Sequence, residues 1–179
     1  KDKNHQEDER MFPESLVAAR KLLEEITPLQ TDCGLVCGGA CCQTHPGEET
    51  GMLLFPGEAE MYRGEEGFTL MDSLHGTILV CEGRCSRANR PLACRMFPLV
   101  MLLRPDGVKI ATDAAAQSVC PLARQGKSAL SQDFVAAVRQ AANLLAQDDQ
   151  QAAHLRRLTD MQDELKALRA QYRGRKEHV

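Results

Sequence analysis

The sequence predicts an α+β fold: a small cysteine-rich metal-binding core with a β-hairpin, flanked by an N-terminal helix and a C-terminal helical hairpin. Three observations lead there. All eight cysteines of the 179-residue chain fall between Cys33 and Cys120. A Pro-Asp-Gly turn separates two β-prone runs, "LVMLLR" and "VKIAT". From Ser128 onward the composition shifts to Ala, Leu, Gln, Arg and Glu, with no Pro and no Gly until Gly174. Residues 1–127 are read as the cysteine-cluster domain with its leading helix, and 128–179 as the helical hairpin packing on it.

Taken in order, Pro13 to Thr27 repeats apolar residues at Leu16, Ala19, Leu23 and Ile26, the period of a helix covering a core, and Pro28 closes it. The cysteine-dense stretch follows, then the polar loop "THPGEETG". Short apolar runs "MLLF" and "TILVC" bracket a helical turn at Gly57 to Tyr62. The hairpin comes next. Beyond Ser128, Leu130, Phe134, Val138, Ala141 and Leu145 share one helical face, and "AQDDQ" breaks the chain before a second helix. There Leu158, Met161, Leu165, Leu168 and Tyr172 alternate by three and four, the spacing of a coiled-coil seam. With only two heptads, a hairpin folding back on its own domain is preferred to self-association. The end, "RGRKEHV", reads as a frayed basic tail.

A net charge of −3, a pI near 6.0, 4% aromatic residues and no Trp argue against nucleic acid and against an anionic membrane surface. The charged start "KDKNHQEDERMFPE" has no secretory apolar region, and no apolar run reaches membrane-spanning length, so a cytoplasmic protein is expected.

In a reducing compartment, clustered thiols bind metal or do redox work rather than form a disulfide framework. "CGLVCGGACC" places Cys33, Cys37, Cys41 and Cys42 within ten residues and has too few large apolar groups to be a core segment. Gly34, Gly38 and Gly39 can take positive φ and curl the chain, bringing amides close to sulfur. Cys81 and Cys85 in "CEGRC", Cys94 in "RPLACRMFP" and Cys120 in "VCPLA" complete the set. Eight thiols supply two four-coordinate centres, or one cluster plus cysteines kept for structure or reaction. Side chains of neighbouring residues diverge along an extended chain, so Cys41 and Cys42 are expected to serve different ligands or sites. His45 is a further candidate ligand. Four thiolates suit a 4Fe–4S cluster or zinc alike.

Arg84, Arg87, Arg90 and Arg95 set positive charge beside Cys85 and Cys94, which favours thiolates. Arg90 and Arg95 are taken as cofactor-binding candidates, although pairing with acids such as Glu82 would account for one or two of these arginines. Phe97 and Pro98 are expected to dock the motif on the hairpin, whose apolar face then shields the metal.

These residues carry a resemblance. Arg90, Pro91, Cys94, Arg95, Phe97 and Pro98 reproduce, position by position, the Arg-Pro-x2-Cys-Arg-x-Phe-Pro motif of the bacterial cysteine-cluster family described as zinc- or iron-chelating proteins. That family's first motif is Cys-x2-Cys-x2-Cys-Cys; "CGLVCGGACC" is similar to it but has three residues in each gap. Cys81, Cys85 and Cys120 look like the family's intervening and trailing cysteines. The likeness spans Cys33 to Cys120 and leaves both helical flanks outside it. The family also looks related to flagellin lysine N-methylases, which implies an iron–sulfur-dependent methyl transfer as one activity. The chain has neither a Gly-x-Gly-x-x-Gly dinucleotide fingerprint after a strand nor a Cys-x3-Cys-x2-Cys radical triplet.

Metal binding by clustered thiolates is therefore the first reading. An iron–sulfur enzyme, methylase-like or redox, is the second, and a zinc-scaffolded interaction module the third. The last two bring in a protein substrate or partner. A working centre would leave a reactive thiol, Cys42 or Cys120, with the C-terminal helices as a lid above it.

Overall fold

In the computed structural model, residues 12–43, 51–83 and 85–176 are described, with side chains through residue 172. Helix α1, Glu14–Leu22, starts after Pro13, whose carbonyl accepts from the Leu16 and Val17 amides at 3.0 Å. Leu16, Ala19 and Leu23 are fully buried, as their spacing predicts. The helix stops short of Thr27 because the Arg87 guanidinium takes the carbonyls of Leu23, Glu24 and Ile26, turning the chain away.

The cysteine-dense stretch forms a single helical turn, α2 (Cys33–Cys37), and a 3₁₀ turn over Ala40–Cys42. The Asp32 carboxylate caps α2 by accepting the Gly34 amide at 3.0 Å. Gly38 and Gly39, at φ 66° and 70°, then reverse the chain. Gly34 lies within the helical turn instead.

A three-stranded antiparallel sheet follows, ordered β1-β3-β2, from β1 (Met52–Leu53), β2 (Phe68–Ser73) and β3 (Gly76–Cys81). The expected helical turn is a 3₁₀ turn at Ala59–Tyr62. Strand β2 joins β3 by a two-residue turn, with Ser73 opposite Gly76. Helix α3 (Leu92–Met96) leads through Phe97 and Pro98 into β4 (Leu99–Arg104), which pairs with β5 (Gly107–Thr112) around Pro-Asp with Arg104 opposite Gly107. Short helices α4 (Ala116–Val119) and α5 (Pro121–Gln125) precede the two long ones, α6 (Gln132–Leu145) and α7 (Asp149–Lys176).

The fold is α+β, with the hairpin and the C-terminal helices in place. Both long helices bury their faces mainly on other elements: α6 lies against α1 and the β4–β5 hairpin, and α7 runs along β4. One core holds Leu16 of α1 and Leu23 just after it, Leu92 of α3, Met101 of β4, Phe134, Val138 and Leu145 of α6, and Leu155 of α7, so it is shared across residues 1–127 and 128–179. In α7 the face toward β4 is unexpectedly polar. The Thr159 hydroxyl accepts the Leu103 amide at 2.9 Å, and Gln162 accepts the Ala114 amide at 2.9 Å while donating to Asp113 at 2.8 Å. Asp163 pairs with Arg104 through two bonds of 2.6 and 2.7 Å. The far end of the seam, Leu168 and Tyr172, is 52% and 68% exposed. Helix α7 also continues through the expected frayed tail to Lys176. Among the described residues, no helix is long and apolar enough to cross a membrane.

Candidate metal centre

Five cysteines from three separated segments line one cavity of about 100 Å³: Cys41 and Cys42 from the 3₁₀ turn, Cys81 and Cys85 from the end of β3 and the loop after it, and Cys94 from α3. Met52, Phe68, Leu79, Pro91 and Phe97 form its apolar walls, and Arg90 and Gln43 its polar ones. Gly51 lines it too, where any Cβ would sit 2.2 Å from Ile78 Cγ2, so glycine is what lets this wall close on β3. All eight cysteines are thiols, none in a disulfide; Cys41 is exposed and the other seven are partly buried.

A wider, open cavity of about 1040 Å³ adjoins it, bounded by Asp32, Gly34, Leu35, Gly38, Gly39, Glu82 and Gly83. Cys42, Gln43, Cys85 and Arg90 line both cavities and form the wall between them. Every residue lining the thiol cavity lies between Cys41 and Phe97, so the C-terminal helices do not cover it. Phe97 reaches it, whereas the β4–β5 hairpin turns toward the helices.

The four predicted arginines part company. Arg90 stays with the thiols: it hydrogen-bonds Cys85, and its Nε is buried with no hydrogen-bond partner among the described residues. Burial opposes its charge, but the neighbouring Cys42, Cys85 and Asp32 outweigh that and hold its pKa above the usual value. Arg95 is a correction to the cofactor-binding expectation. It is only 4% exposed, and its guanidinium donates to the carbonyls of Arg90, Arg20 and Ala88 at 2.9, 2.8 and 2.7 Å, which leaves it clasping backbone rather than facing a ligand. Arg87 also takes backbone carbonyls, those of Leu23, Glu24 and Ile26. Arg84 and His45 lie outside the described residues.

Glu58 carried no signal in the sequence beyond its place in a helical turn, yet it positions the motif. Fully buried, its carboxylate pairs with Arg20 and accepts the Leu92 amide at 2.7 Å and the Phe55 amide at 3.2 Å. It thereby fixes the first turn of α3, which presents Cys94. Asp32, the cap of α2, was likewise legible only as a charge.

The electrostatics divide the thiols. Burial raises the Cys94 pKa well above the usual thiol value, with Cys42, Cys85 and Cys81 adding to it. Cys85 is raised by burial and then by Cys81, and Arg90 offsets this only in part. Cys33 is raised by burial, then by Asp32, Cys37 and Cys120. Cys41 is raised most by its hydrogen bond to Cys42, then by burial and by the charges of Cys42, Cys33 and Cys37. At Cys85 and Cys94, where arginines were expected to favour thiolates, burial and the neighbouring thiols act the other way, and Arg90 offsets this only in part at Cys85. The Cys41–Cys42 premise also changes. The pair lies in a 3₁₀ turn rather than an extended strand, and its sulfurs are 3.9 Å apart.

Among the described residues, no three or more His, Cys, Asp and Glu side chains are grouped so as to hold a metal ion. The thiols surround space rather than a point. No family model, no curated protein and no solved structure matches this chain.

Proposed function

We propose that this is a cytoplasmic metal-binding protein whose cysteine thiolates hold an iron–sulfur cluster, with zinc as the competing occupant. The observation that carries the reading is the convergence of Cys41, Cys42, Cys81, Cys85 and Cys94, from three separate segments, on one cavity of about 100 Å³ beside Arg90. A tetrahedral zinc ion with bonds of about 2.3 Å needs sulfurs about 3.8 Å apart on every edge. A cluster spaces its thiolates more widely, which suits sulfurs ranged around a cavity and not yet gathered for one ion. Binding would displace protons from thiols whose pKa is raised. Arg90, hydrogen-bonded to Cys85, would offset thiolate charge and tune the centre. These are also the residues on which the chain resembles the cysteine-cluster family.

An enzyme is the second reading, supported by the open cavity of about 1040 Å³ that shares Cys42, Cys85 and Arg90 with the thiol cavity and would seat a substrate against the centre. The test of the first reading is anaerobic purification with iron, zinc and acid-labile sulfide counted per chain. Stoichiometric iron with equal sulfide is expected, and Cys94→Ser should lower both. A metal-free protein, or full loading in Cys94→Ser, would refute it.

A further inference from the structure

The three-stranded sheet has one open edge. In the order β1-β3-β2, strand β2 pairs with β3 along its whole length and has no strand on its other side. Among the described residues, no hydrogen bond outside that ladder reaches the backbone of residues 68–73, which leaves alternate amides and carbonyls facing outward. Edges of this kind are commonly blunted by lysine, proline or a bulge. Strand β2 has no lysine, no proline and an unbroken register, and its one charge is Asp72. The two faces of the sheet differ, because side chains alternate across it. Met52, Leu79 and Leu70 stand in one row, where Leu79 is buried and Leu70 packs in the cluster around Tyr62. Leu53, Ile78 and Met71 form the matching row on the other face. Among the described residues these three pack against neither core cluster, and Met71, at the open edge, is 37% exposed. Leu74, in the β2–β3 turn, is fully exposed.

The charges around that edge say what fits it. Residues 51–83 carry exposed carboxylates at Glu60, Glu65, Glu66, Asp72 and Glu82 against a single guanidinium, Arg63, which pairs with Glu60 at 2.7 Å. Glu65 and Glu66 lead into β2, Asp72 lies in it, and the Glu82 amide bonds the Gly67 carbonyl at 3.3 Å, which sets Glu82 beside the start of the strand. We propose that β2 is a docking edge for a partner protein, which adds an extended segment of alternating apolar and basic residues as a fourth strand. Backbone pairing supplies the affinity. The segment's apolar side chains continue the row of Leu53, Ile78 and Met71, while its basic ones, on the face that carries Asp72, meet the carboxylates. A second copy of the chain is a poor occupant, because it would set two acidic edges against each other. Phe68, the first residue of β2, also lines the thiol cavity, so the docked segment lies beside that site. Docking here uses no thiol, and it stands or falls apart from the metal reading.

The test uses the full chain and short synthetic peptides that alternate valine with lysine, titrated by fluorescence anisotropy. Saturable binding is expected, with a peptide that alternates valine with glutamate bound about tenfold more weakly. An added strand pairs along one of its own edges only. Methylating the amide nitrogens of the lysines alone, or of the valines alone, should therefore give opposite results, one peptide losing binding and the other keeping it. Met71→Lys, which puts a cation on the open edge, should weaken the valine–lysine peptide about tenfold, and Asp72→Asn by a smaller factor. If Met71→Lys lowers the urea midpoint, Glu65→Gln/Glu66→Gln, on exposed residues ahead of the strand, carries the same expectation. No saturable binding of the valine–lysine peptide, equal binding of the glutamate peptide, equal affinity of the two methylated peptides, or unchanged affinity in the variants would each overturn the docking edge. So would a dimer in sedimentation velocity that Met71→Lys disperses, since the edge would then belong to a second copy.

Discussion

Glu58 and Arg20 form an ion pair in which the carboxylate is wholly buried and the same oxygen accepts the Leu92 amide. Through that one carboxylate, α1, the turn after β1 and the start of α3 are held to each other. Glu58→Ala would strand the Arg20 charge and two amides, at a cost of about 3–5 kcal/mol. Urea unfolding measures it. A loss below about 1 kcal/mol would mean that water or another group takes over the carboxylate's role.

Arg95 should behave as a backbone clasp. Its three carbonyl partners belong to Arg90, Arg20 and Ala88, so Arg95→Ala is expected to cost about 3 kcal/mol or more. Arg95→Lys should not rescue it, since an ammonium lacks the planar fork that reaches three carbonyls. Metal affinity in whatever fraction stays folded should be unchanged. A selective loss of metal without loss of stability would restore a direct role at the site.

His154 gives the fold a pH dependence. It is 2% exposed, packs on Phe55 with ring centres 4.7 Å apart, and burial, with Arg157 adding, pushes its pKa down to about 4. The folded chain keeps the imidazole neutral while the unfolded chain protonates near the ordinary value of about 6.5. Between those values the unfolded state binds more protons, so stability falls as pH drops through the window, by roughly 3 kcal/mol in all. His154→Leu should remove that component, seen as a flatter urea midpoint between pH 7 and pH 4. An identical slope in the variant would assign the effect elsewhere.

Gly38 and Gly39 sit in the left-handed region with no atoms of the described residues within 4 Å of where a Cβ would be. Alanine at either position should therefore cost about 1 kcal/mol of purely conformational energy. Because the pair returns Cys41 toward α2, metal loading should weaken more than global stability does. Equal stability and equal loading in Gly38→Ala would show that the reversal tolerates a side chain.

The hairpin was plain in the sequence because Pro-Asp-Gly specifies its own turn, and Arg104 does face Gly107. Helix α6 was equally plain: Phe134, Val138, Ala141 and Leu145 are all buried, as a 3.6-residue period requires. Strand β2 was not, since "FTLMDS" ends at a Leu-His turn with no glycine at its centre and reads as a mixed segment. Helix α7 misled for a different reason. Its leucine seam suggested an apolar contact, but Thr159, Gln162 and Asp163 face β4 and the chain at 113–114, where backbone amides and Arg104 need polar partners. The cysteines were visible as a set, but that Cys41, Cys42, Cys81, Cys85 and Cys94 line one cavity was not. Cys120 reaches its neighbours only because α4 packs on a turn some eighty residues earlier, and no local spacing encodes that.

The thiol cavity and the main core have almost no residues in common: of the lining side chains, Met52 alone packs against the core cluster, and Phe68 and Leu79 belong to the smaller cluster around Tyr62. Two cooperative units follow from that separation. Amides of β1–β3 and the cysteine turns should exchange with solvent through openings that leave α1, α6 and β4 protected, so that occupancy of the site governs the breathing of one unit while the other sets the global unfolding free energy. Substitutions in the lining would then retune the chemistry with little penalty to the scaffold, which leaves the site free to diverge faster than the fold that carries it.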